Sequence, residues 1–390
     1  MSSMTKSKFE WPPSAAGIFI AGYHLALLIG LPFFFMTHTP SWGIWVSSAI
    51  LFYISGISVT AGYHRLYSHL AYKANKGVEA VLLFFATIAT QGSALKWSCD
   101  HRRHHAFVDT DRDPYSINRG FWFAHILWLF HKTEAIDPKV VADLYRNRLV
   151  MFQHKYYPIL MVVTNLIAVL FMGYMFNDYV SAFVIGWGVR LFFSHHTTWF
   201  INSLAHTWGE QSFSQEHTAV DNYILSLITF GEGYHNYHHT FAHDYRNGTR
   251  WYHFDPTKWV IWVIHKCGFA HGLRRINNVQ IEERIVIEHK KELIQTVREF
   301  LSSNSTIIEE KIDKMTDELL AQCTQLHQLV KEYQVRKQEK TADKDLLKNM
   351  NLEIKTVKKN LKATWKDWKR TSKDVLASLP YDTSSTSQPS

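Results

Sequence analysis

Residues 17–36 read GIFIAGYHLALLIGLPFFFM, and this apolar stretch decides what kind of fold the chain can adopt. About 20 such residues in a helix cross the hydrocarbon core of a bilayer. A short turn follows, and residues 42–62 (WGIWVSSAILFYISGISVTAG) form a second stretch of the same kind. No small-residue cleavage site follows the first stretch, which indicates an uncleaved anchor. The two stretches therefore predict a helical hairpin in a membrane.

Two more apolar stretches predict a second hairpin. Residues 158–176 (PILMVVTNLIAVLFMGYMF) form the third span and residues 179–200 the fourth, with only Asn177 and Asp178 between them. The turns of both hairpins lack Lys and Arg, whereas the other side carries nearly all the basic residues. The positive-inside bias therefore places both termini, and the histidine-rich motifs that begin at His64, His101 and His235, in the cytoplasm, of either a bacterial inner membrane or the endoplasmic reticulum.

Two features of the apolar region need separate interpretation. Residues 77–95 form another apolar run, but a span there would place the histidine motifs around it on opposite faces of the membrane. We therefore expect a helix that is buried in the protein or lies in the interface. Arg190 falls within the fourth predicted span, where a charge is expensive. A structural ion pair or snorkelling and a substrate or proton role both remain open for it.

The composition of the 390 residues adds limits on partners. The net charge of +8 suits a soluble face near anionic headgroups or acidic substrates. The chain has no recognisable nucleic-acid motif, so we expect no nucleic-acid partner. Its three cysteines form neither a disulfide framework nor a metal-binding spacing.

Three histidine-rich motifs accompany the predicted spans. HRLYSH begins at His64, HRRHH begins at His101, and GEGYHNYHHTF covers residues 231–241. In the last two motifs, histidines at i, i+3 and i+4 share one face of a helix. Imidazole binds iron, copper, zinc and nickel, so the motifs predict a metal site with room for more than one ion. Solvated helix histidines are the alternative.

The spacing of the remaining candidate ligands adds two conditions. His64 and His69 lie about 140° apart around an ideal helix, so they need a helix end or a bend to share a site. Asn202 and His206 are four residues apart and lie on one helical face. His206 is therefore a further candidate ligand, and Asn202 is one that binds directly or through water.

In this order and among four spans, HRLYSH, HRRHH and HNYHH resemble the motifs of the membrane fatty acyl desaturases. The flanking sequences sharpen the resemblance to the stearoyl-CoA or Δ9-type group: AGYHRLYSH, DHRRHHAFVDTDRDPY, NRGFWFAH, TWFINSLAHTWG and GEGYHNYHHTF. The resemblance covers roughly residues 12–275. With the predicted spans, it implies an all-α integral membrane protein with four transmembrane helices and a cytosolic histidine-rich helical cap.

The resemblance also implies the chemistry and its ligands. Family members bind two irons through nine histidines, and an asparagine that reaches iron through water matches Asn202. The matching histidines are His64, His69, His101, His104, His105, His206, His235, His238 and His239. The implied oxidoreductase consumes O₂ and two electrons to insert a cis double bond, at Δ9, in a long saturated acyl chain. A metal cofactor is needed for this reaction, because no acid–base or nucleophilic side chain removes hydrogen from an unactivated methylene.

The resemblance implies substrate-binding residues as well. In the family, a bend in the acyl chain is lined by residues that match Gln91, Trp97, Thr198 and Trp199. The residues that hold a CoA head match Asp100 and Lys132. Ordinary core packing is the alternative for the first four. The chain departs from the animal acyl-CoA enzymes at Gly92 and Cys99, which replace an asparagine and an arginine, and at Thr133, which replaces a base. These departures leave the acyl carrier open between CoA and another group.

The chain contains no HPGG haem motif and no flavin or dinucleotide fingerprint. Electrons are therefore expected from a separate partner, such as cytochrome b5 or a ferredoxin with its reductase. Two alternatives to desaturation remain. A histidine-box hydroxylase acting on a lipid or alkane would use the same metals and O₂ but leave an oxygen on the product. A non-catalytic membrane scaffold would hold metal without turnover, although the intact ligand set argues against it.

The sequence changes character after the predicted membrane domain, which comprises residues 17–275 and follows a cytosolic segment at residues 1–16. Residues 276–379 carry apolar residues at heptad spacing, if Gln322 fills one core position. This pattern predicts a cytosolic helical hairpin or coiled coil. It either self-associates through residues 280–376, docks a partner or packs on its own domain. Residues 380–390 are typical of a disordered tail.

Overall fold

The computed structural model describes residues 14–131, 134–300, 305–338 and 343–378. The chain divides into two compact units, of which the first contains Met1–Gln211 and Glu216–Arg275 and the second contains Ser212–Gln215 and Ile276–Ser390. Most of the segment predicted to precede the membrane domain, and all of the predicted disordered tail, lie outside the described residues. The cytosolic N-terminal segment and the disordered tail therefore stay predictions.

The first unit is helical almost throughout. Its α-helices in chain order are α1 (Ala15–Thr37), α2 (Trp42–Ser58), α3 (Lys76–Ile88), α4 (Ala94–Phe107), α5 (Phe121–His125), α6 (Ala142–Tyr145), α7 (Arg148–Lys155), α8 (Tyr157–Phe176), α9 (Tyr179–Phe183), α10 (Arg190–Ser203), α11 (Tyr223–Ile228), α12 (His235–Thr240) and α13 (Pro256–Lys266). Two π-helical stretches (Val59–Ser68 and Val184–Val189) and three 3₁₀ turns (Ile117–Arg119, Leu127–Phe130 and Leu204–His206) connect some of them. The described strands are β1 (Lys73–Ala74) and β2 (Ala270–His271), which pair antiparallel with Lys73 opposite His271. Helical structure therefore dominates, as predicted.

Three helices are long and apolar enough to cross a membrane: Ala15–Thr37, Trp42–Ser68 and Tyr157–Phe176. Ser14 and Ser41 cap the first two, because each side chain accepts a hydrogen bond from a backbone N–H of the first turn. Large apolar side chains on these helices are exposed, including Leu28 at 74% and Phe171 at 63%. Such surfaces suit lipid and not water. The prediction that the chain is a membrane protein is therefore confirmed.

The fourth predicted span is helical but less apolar. Helix α9, the π-helical stretch Val184–Val189 and helix α10 follow one another without a break. This segment contains Arg190, His195 and His196, which lower its hydropathy, and it is not among the three candidate spans. A fourth crossing therefore stays a prediction.

The apolar run at residues 77–95 does not form a single helix. Helix α3 ends at Ile88, and α4 begins at Ala94 with Ser93 as its N-cap. Between them the backbone turns through left-handed conformations at Thr90 (φ 59°) and Gly92 (φ 90°). The run therefore forms a partly buried helix that is not among the candidate spans, as expected. This helix is shorter than the apolar run, because a turn at this point ends it and starts the helix that carries HRRHH.

The second unit consists of three long helices, α14 (Asn278–Phe300), α15 (Ser305–Gln338) and α16 (Lys344–Ser378). They share an apolar core formed by Val286, Leu319, Cys323, Leu326, Ile354, Val357, Leu361 and Trp368. The core residue between Leu319 and Leu326 is Cys323, whereas Gln322 is only partly buried and hydrogen-bonds Thr364 across the helix pair. The heptad assignment of Gln322 was therefore wrong, and a coiled coil between copies stays a prediction.

Candidate metal centre and substrate cavity

The structure gathers all nine predicted histidine ligands into two groups of buried or partly buried side chains. Within each group, one ligand nitrogen from every histidine lies within 4.8 Å of all the others. The first group contains His64, His69, His101, His105 and His238, and the second contains His104, His206, His235 and His239. Solvated helix histidines would instead lie apart on the surface, so that alternative fails.

The HRLYSH motif reaches the site because it lies on a π-helix. The backbone N–H of His69 donates to the carbonyl of His64 at 3.1 Å, which is the i to i+5 bond of a π-helical turn. This wider turn places residues five apart nearly above one another. The π-helix ends at Ser68 with His69 as its C-cap, so the helix end expected from the spacing is present. The two imidazoles, whose ring centroids lie 4.7 Å apart, therefore join one group.

The two HxxHH triplets each supply both groups. Helix α4 places His101 and His105 in the first group and His104 in the second. Helix α12 places His238 in the first group and His235 and His239 in the second. In each helix the pair that stays together is spaced i, i+4, and the third histidine lies to the side of that pair. One triplet therefore does not correspond to one ion.

The distances within the groups suit metal coordination. The Nε2 atoms of His64 and His238 are 3.0 Å apart, those of His69 and His101 are 2.8 Å apart, and those of His104 and His239 are 3.2 Å apart. An ion bound to imidazole nitrogen at about 2.1 Å places adjacent ligands at right angles about 3.0 Å from each other. The histidines therefore fit the coordination shell of a metal ion in both groups.

The charge state of the imidazoles fits the same use. Burial lowers the pKa of His69, His105 and His239 well below the usual histidine range, and charge repulsion from neighbouring imidazoles lowers it further. Neutral imidazole is the form that binds a metal. His206 Nε2 is buried without a hydrogen-bond partner among the described residues, as expected of a nitrogen that faces an ion.

Carboxylates orient two of the ligands, and these residues were missed from the sequence. His64 Nδ1 lies 3.0 Å from Glu232 Oε2, and His104 Nδ1 lies 3.0 Å from both oxygens of Asp113. Each contact holds the proton on Nδ1 and leaves Nε2 free for metal. Both acids occur inside motifs already recognised, GEGYH and DTDRDPY, so an acid close to a histidine motif was the available signal.

Thr218 plays the same part at His206. The Thr218 hydroxyl lies 2.8 Å from His206 Nδ1 and donates to Asp109 Oδ1 at 2.7 Å. The carboxylate of Asp109 also accepts the backbone N–H of Thr218 at 2.7 Å. The position of His206 therefore depends on a contact between Thr218 and Asp109, which are 109 positions apart in sequence. Spacing rules do not reveal such a contact.

A buried ion-pair network supports Glu232 in turn. Arg65 donates to Glu232 at 2.9 Å and to both oxygens of Asp255 at 3.0 and 3.1 Å, and Asn247 Nδ2 donates to Glu232 at 2.7 Å. Burial alone would raise the pKa of the Glu232 carboxyl, but His64 and Arg65 lower it to about 2. Glu232 therefore remains a carboxylate throughout the physiological pH range.

A cavity of about 310 Å³ adjoins both histidine groups. It is lined by His64 and His101 of the first group and by His104 and His235 of the second. Asn202, the candidate water-mediated ligand, lines it as well. The predicted substrate residues that line this cavity are Gln91, Trp97, Asp100, Thr198 and Trp199. One space therefore brings five of the six predicted substrate residues next to the candidate metal ligands.

Contacts among these lining residues fix the shape of the cavity. Gln91 Nε2 donates to Thr198 Oγ1 at 2.8 Å and so joins the α3–α4 turn to α10. Trp97 stacks on His101 with ring centroids 4.9 Å apart, and Trp199 stacks on His195 at 5.3 Å. Trp97 thus packs directly against a candidate ligand, and Trp199 packs against a residue of its own helix α10.

The cavity also has charged lining residues. Lys96 Nζ lies 2.6 and 2.7 Å from the two oxygens of Asp100 and lines the cavity beside it, a cation that sequence analysis missed. Burial raises the pKa of Asp100, although Lys96 opposes this effect. Gly92 lines the cavity, whereas Cys99 is fully buried in the apolar core. The predicted Lys132 and its neighbour Thr133 lie outside the described residues.

Comparison with known proteins agrees with this geometry. Residues 40–273, which are more than half of the chain, match the family model described as fatty acid desaturase. The chain belongs to the fatty acid desaturase family. The matched region contains both histidine groups and most of the cavity lining.

Individual desaturases are similar over the same region. The chain is 41% identical over 277 residues to the "Probable acyl-CoA desaturase" of Schizosaccharomyces pombe, covering 69% of this chain and 58% of that protein. It is 38% identical over 256 residues to "Acyl-CoA desaturase 1" of Saccharomyces cerevisiae, covering 64% and 50%. It is 35% identical over 273 residues to the "Acyl-CoA Delta-9 desaturase" of Acheta domesticus, covering 67% and 75%. The chain thus spans between half and three-fifths of the two yeast desaturases.

Proposed function

We propose that this protein is an O₂-dependent fatty acyl desaturase that inserts a cis double bond at Δ9 of a long saturated acyl chain. The observation that carries the proposal is the cavity that both histidine groups line together with Gln91, Trp97, Thr198 and Trp199. A long acyl chain inside it would lie beside both groups. Family membership supports the same reaction.

The two histidine groups are proposed to hold two iron ions. The first group offers five imidazoles, and the second offers four, with Asn202 nearby to complete it through water. Bound iron would supply, with O₂ and two electrons, the oxidising power that removes hydrogen from an unactivated methylene. The protein contributes neutral Nε2 atoms, and the carboxylates of Glu232 and Asp113 keep the ring protons on Nδ1.

The cavity residues are proposed to select the methylenes that react. Trp97 and Trp199 pack against the chain, and the Gln91–Thr198 hydrogen bond closes one side of its path. Asp100, together with Lys96 and Lys132, is proposed to hold the carrier end of the substrate. We propose CoA as the carrier, with another acyl carrier as the alternative that substrate trials would reveal.

The membrane arrangement follows from the same interpretation. We propose four crossings, with residues 179–200 as the fourth, and with both termini and the histidine groups in the cytoplasm. Residues 17–275 would form the desaturase domain and residues 276–379 a cytosolic extension able to self-associate. Electrons would come from a separate donor, either cytochrome b5 or a ferredoxin with its reductase.

Purified protein tests the proposal directly. The 390-residue chain in nanodiscs is loaded with ferrous iron, reduced through cytochrome b5 and its reductase, and given stearoyl-CoA. We expect about one iron for each of the two histidine groups and an O₂-dependent mono-unsaturated product. A hydroxylated product would indicate the monooxygenase alternative. Metal binding without any O₂-dependent turnover, despite full reduction of the iron, would indicate the scaffold.

A further inference from the structure

The turn between α3 and α4 forms part of the cavity wall and is held in an unfavourable conformation. Thr90, Gln91 and Gly92 all line the cavity. Thr90 has a φ of 59°, in the left-handed region that β-branched residues avoid. Glycine would adopt this conformation without cost. A strained residue in a site persists only when its surroundings hold it there.

The first of these restraints is a buried cation. Arg190 is 3% exposed and donates to Asn165 Oδ1 at 2.6 Å, while Asn165 Nδ2 donates to the Thr90 hydroxyl at 3.3 Å. Arg190 also donates to the carbonyl of Ile88 at 3.3 Å, the last residue of α3. The α-helical dipole is negative at this end, so the guanidinium is favourably placed.

Arg190 has no carboxylate partner among the described residues. Its remaining contact is from Nε to the carbonyl of Gly186 at 2.8 Å, within its own helical segment. The ion pair considered from the sequence is therefore not what holds it. A buried charge that is balanced only by neutral oxygens is costly, and its contacts lead to the turn at Thr90.

A second restraint approaches the same turn from another helix. His195 Nε2 lies 3.1 Å from the carbonyl of Thr90, and His195 Nδ1 lies 2.8 Å from the hydroxyl of Tyr23 on α1. A hydroxyl that donates to Nδ1 leaves the proton on Nε2, which then donates to Thr90. The backbone N–H of Gly92 donates to the Tyr157 hydroxyl at 2.9 Å. Residues of α8 and α10 therefore contact these three consecutive residues directly, and α1 supports His195 through Tyr23.

We propose that Arg190, Asn165 and His195 are positioning residues that hold the Thr90–Gly92 turn and thereby set which methylene pair of the acyl chain reacts. They act through the turn, since it carries Gln91, whose side chain bridges to Thr198 across the cavity wall. If the turn relaxes, Gln91 loses its fixed position and the acyl chain can shift along the cavity. The inference rests on the proposed desaturation.

Two substitutions test this, and neither removes a candidate metal ligand. Asn165→Leu breaks the link from Arg190 to Thr90, and Thr90→Gly removes both the hydroxyl and the need for strain. Thr164→Val is the matched control, because the Thr164 hydroxyl bonds the carbonyl of Met161 in its own helix. Product double-bond positions are measured by mass spectrometry of derivatised lipids, and amide hydrogen exchange is measured over residues 88–94 in the full chain.

We expect both variants, but not the control, to raise the fraction of products desaturated at neighbouring positions roughly tenfold, the lower end of pocket discrimination for one methylene. Amide exchange in the turn should rise in Asn165→Leu. Unchanged double-bond positions in the products of both variants, if both are active, would overturn this inference and leave the proposed function intact. A wild-type chain that forms no double bond would overturn the proposed function, and unchanged exchange in Asn165→Leu would then reject the positioning role separately.

Discussion

Individual histidines illustrate how far residue-level reasoning extends. Spacing was sufficient to choose the six histidines of HRRHH and HNYHH, because i, i+3 and i+4 neighbours share a helical face. The resemblance to the desaturase motifs completed the set with His64, His69 and His206. Spacing was not sufficient to divide them between two groups, because the division depends on how four helical segments pack. Glu232 and Asp113 were missed for a similar reason, since an acid beside a motif contacts an imidazole only after the chain has folded.

His238→Ala tests the first group. His238 Nε2 lies 3.0 Å from both His64 and His105, so its loss removes a ligand near the centre of that group. We expect iron content to fall by about half and turnover to be lost, while the protein stays in the membrane. The control is His265→Ala, an exposed histidine that contacts the carbonyl of Ala270. Full activity in His238→Ala, measured with iron content by mass spectrometry, would show that the metal assignment is wrong.

Glu232→Gln tests the carboxylate that orients His64. The amide keeps the size of the side chain but loses the negative charge that Arg65 and His64 face. We expect iron affinity to drop about 10–100-fold, as when other metal sites lose such a partner. Titration of the apoprotein with ferrous iron measures the affinity. Glu79→Gln is the control, because that buried carboxylate contacts Tyr67 and Lys76 and no histidine ligand. Equal iron affinity in the two variants would show that Glu232 does not support the metal centre.

At the scale of elements, the glycines before HNYHH decide how α12 enters the site. Gly231 has a φ of 97°, and a Cβ there would meet Asp255. A Cβ at Gly233 would overlap the backbone of Ser226 and of Asn222. The backbone therefore passes close to a neighbouring segment just before the helix that carries three candidate ligands. The GEG sequence is needed for this close approach.

Gly233→Ala should consequently displace α12. We expect lower iron content and a lower melting temperature, because backbone atoms, and not a flexible side chain, must move. Gly268→Ala is the matched control. Gly268 has a φ of 80° but open space around it, so alanine there adds only backbone strain of about 1–2 kcal/mol. Iron content that falls equally in both variants would mean that close approach at Gly233 does not position the ligands.

The secondary structure was predictable where a pattern is long and regular. Apolar stretches predicted α1, α2 and α8, and heptads predicted α15 and α16 of the second unit but not α14. Local departures were not predictable. The π-helical turn at His64, the break after Ile88 and the burial of Cys323 in place of Gln322 all depend on tertiary contacts that override the regular period.

At the scale of the whole molecule, both histidine groups and the cavity lie within the first unit. A chain that ends after Arg275 should therefore keep desaturation. Ending near Gly272 would be less suitable, because Arg274 N–H donates to the Ala71 carbonyl and its own carbonyl accepts from Tyr245. Product analysis at matched expression checks the expectation. Complete loss of activity in a well-expressed protein would show that the second unit is required.

The most direct test of the account is the fatty-acid profile of a host that lacks its own acyl desaturase but keeps cytochrome b5 and its reductase. The profile is compared with and without this chain, and double-bond positions are determined by mass spectrometry of derivatised lipids. The account predicts new mono-unsaturated acids with a cis bond at Δ9, absent from the His238→Ala strain. Hydroxylated acids, or no new acid from a well-expressed and iron-loaded protein, would contradict it.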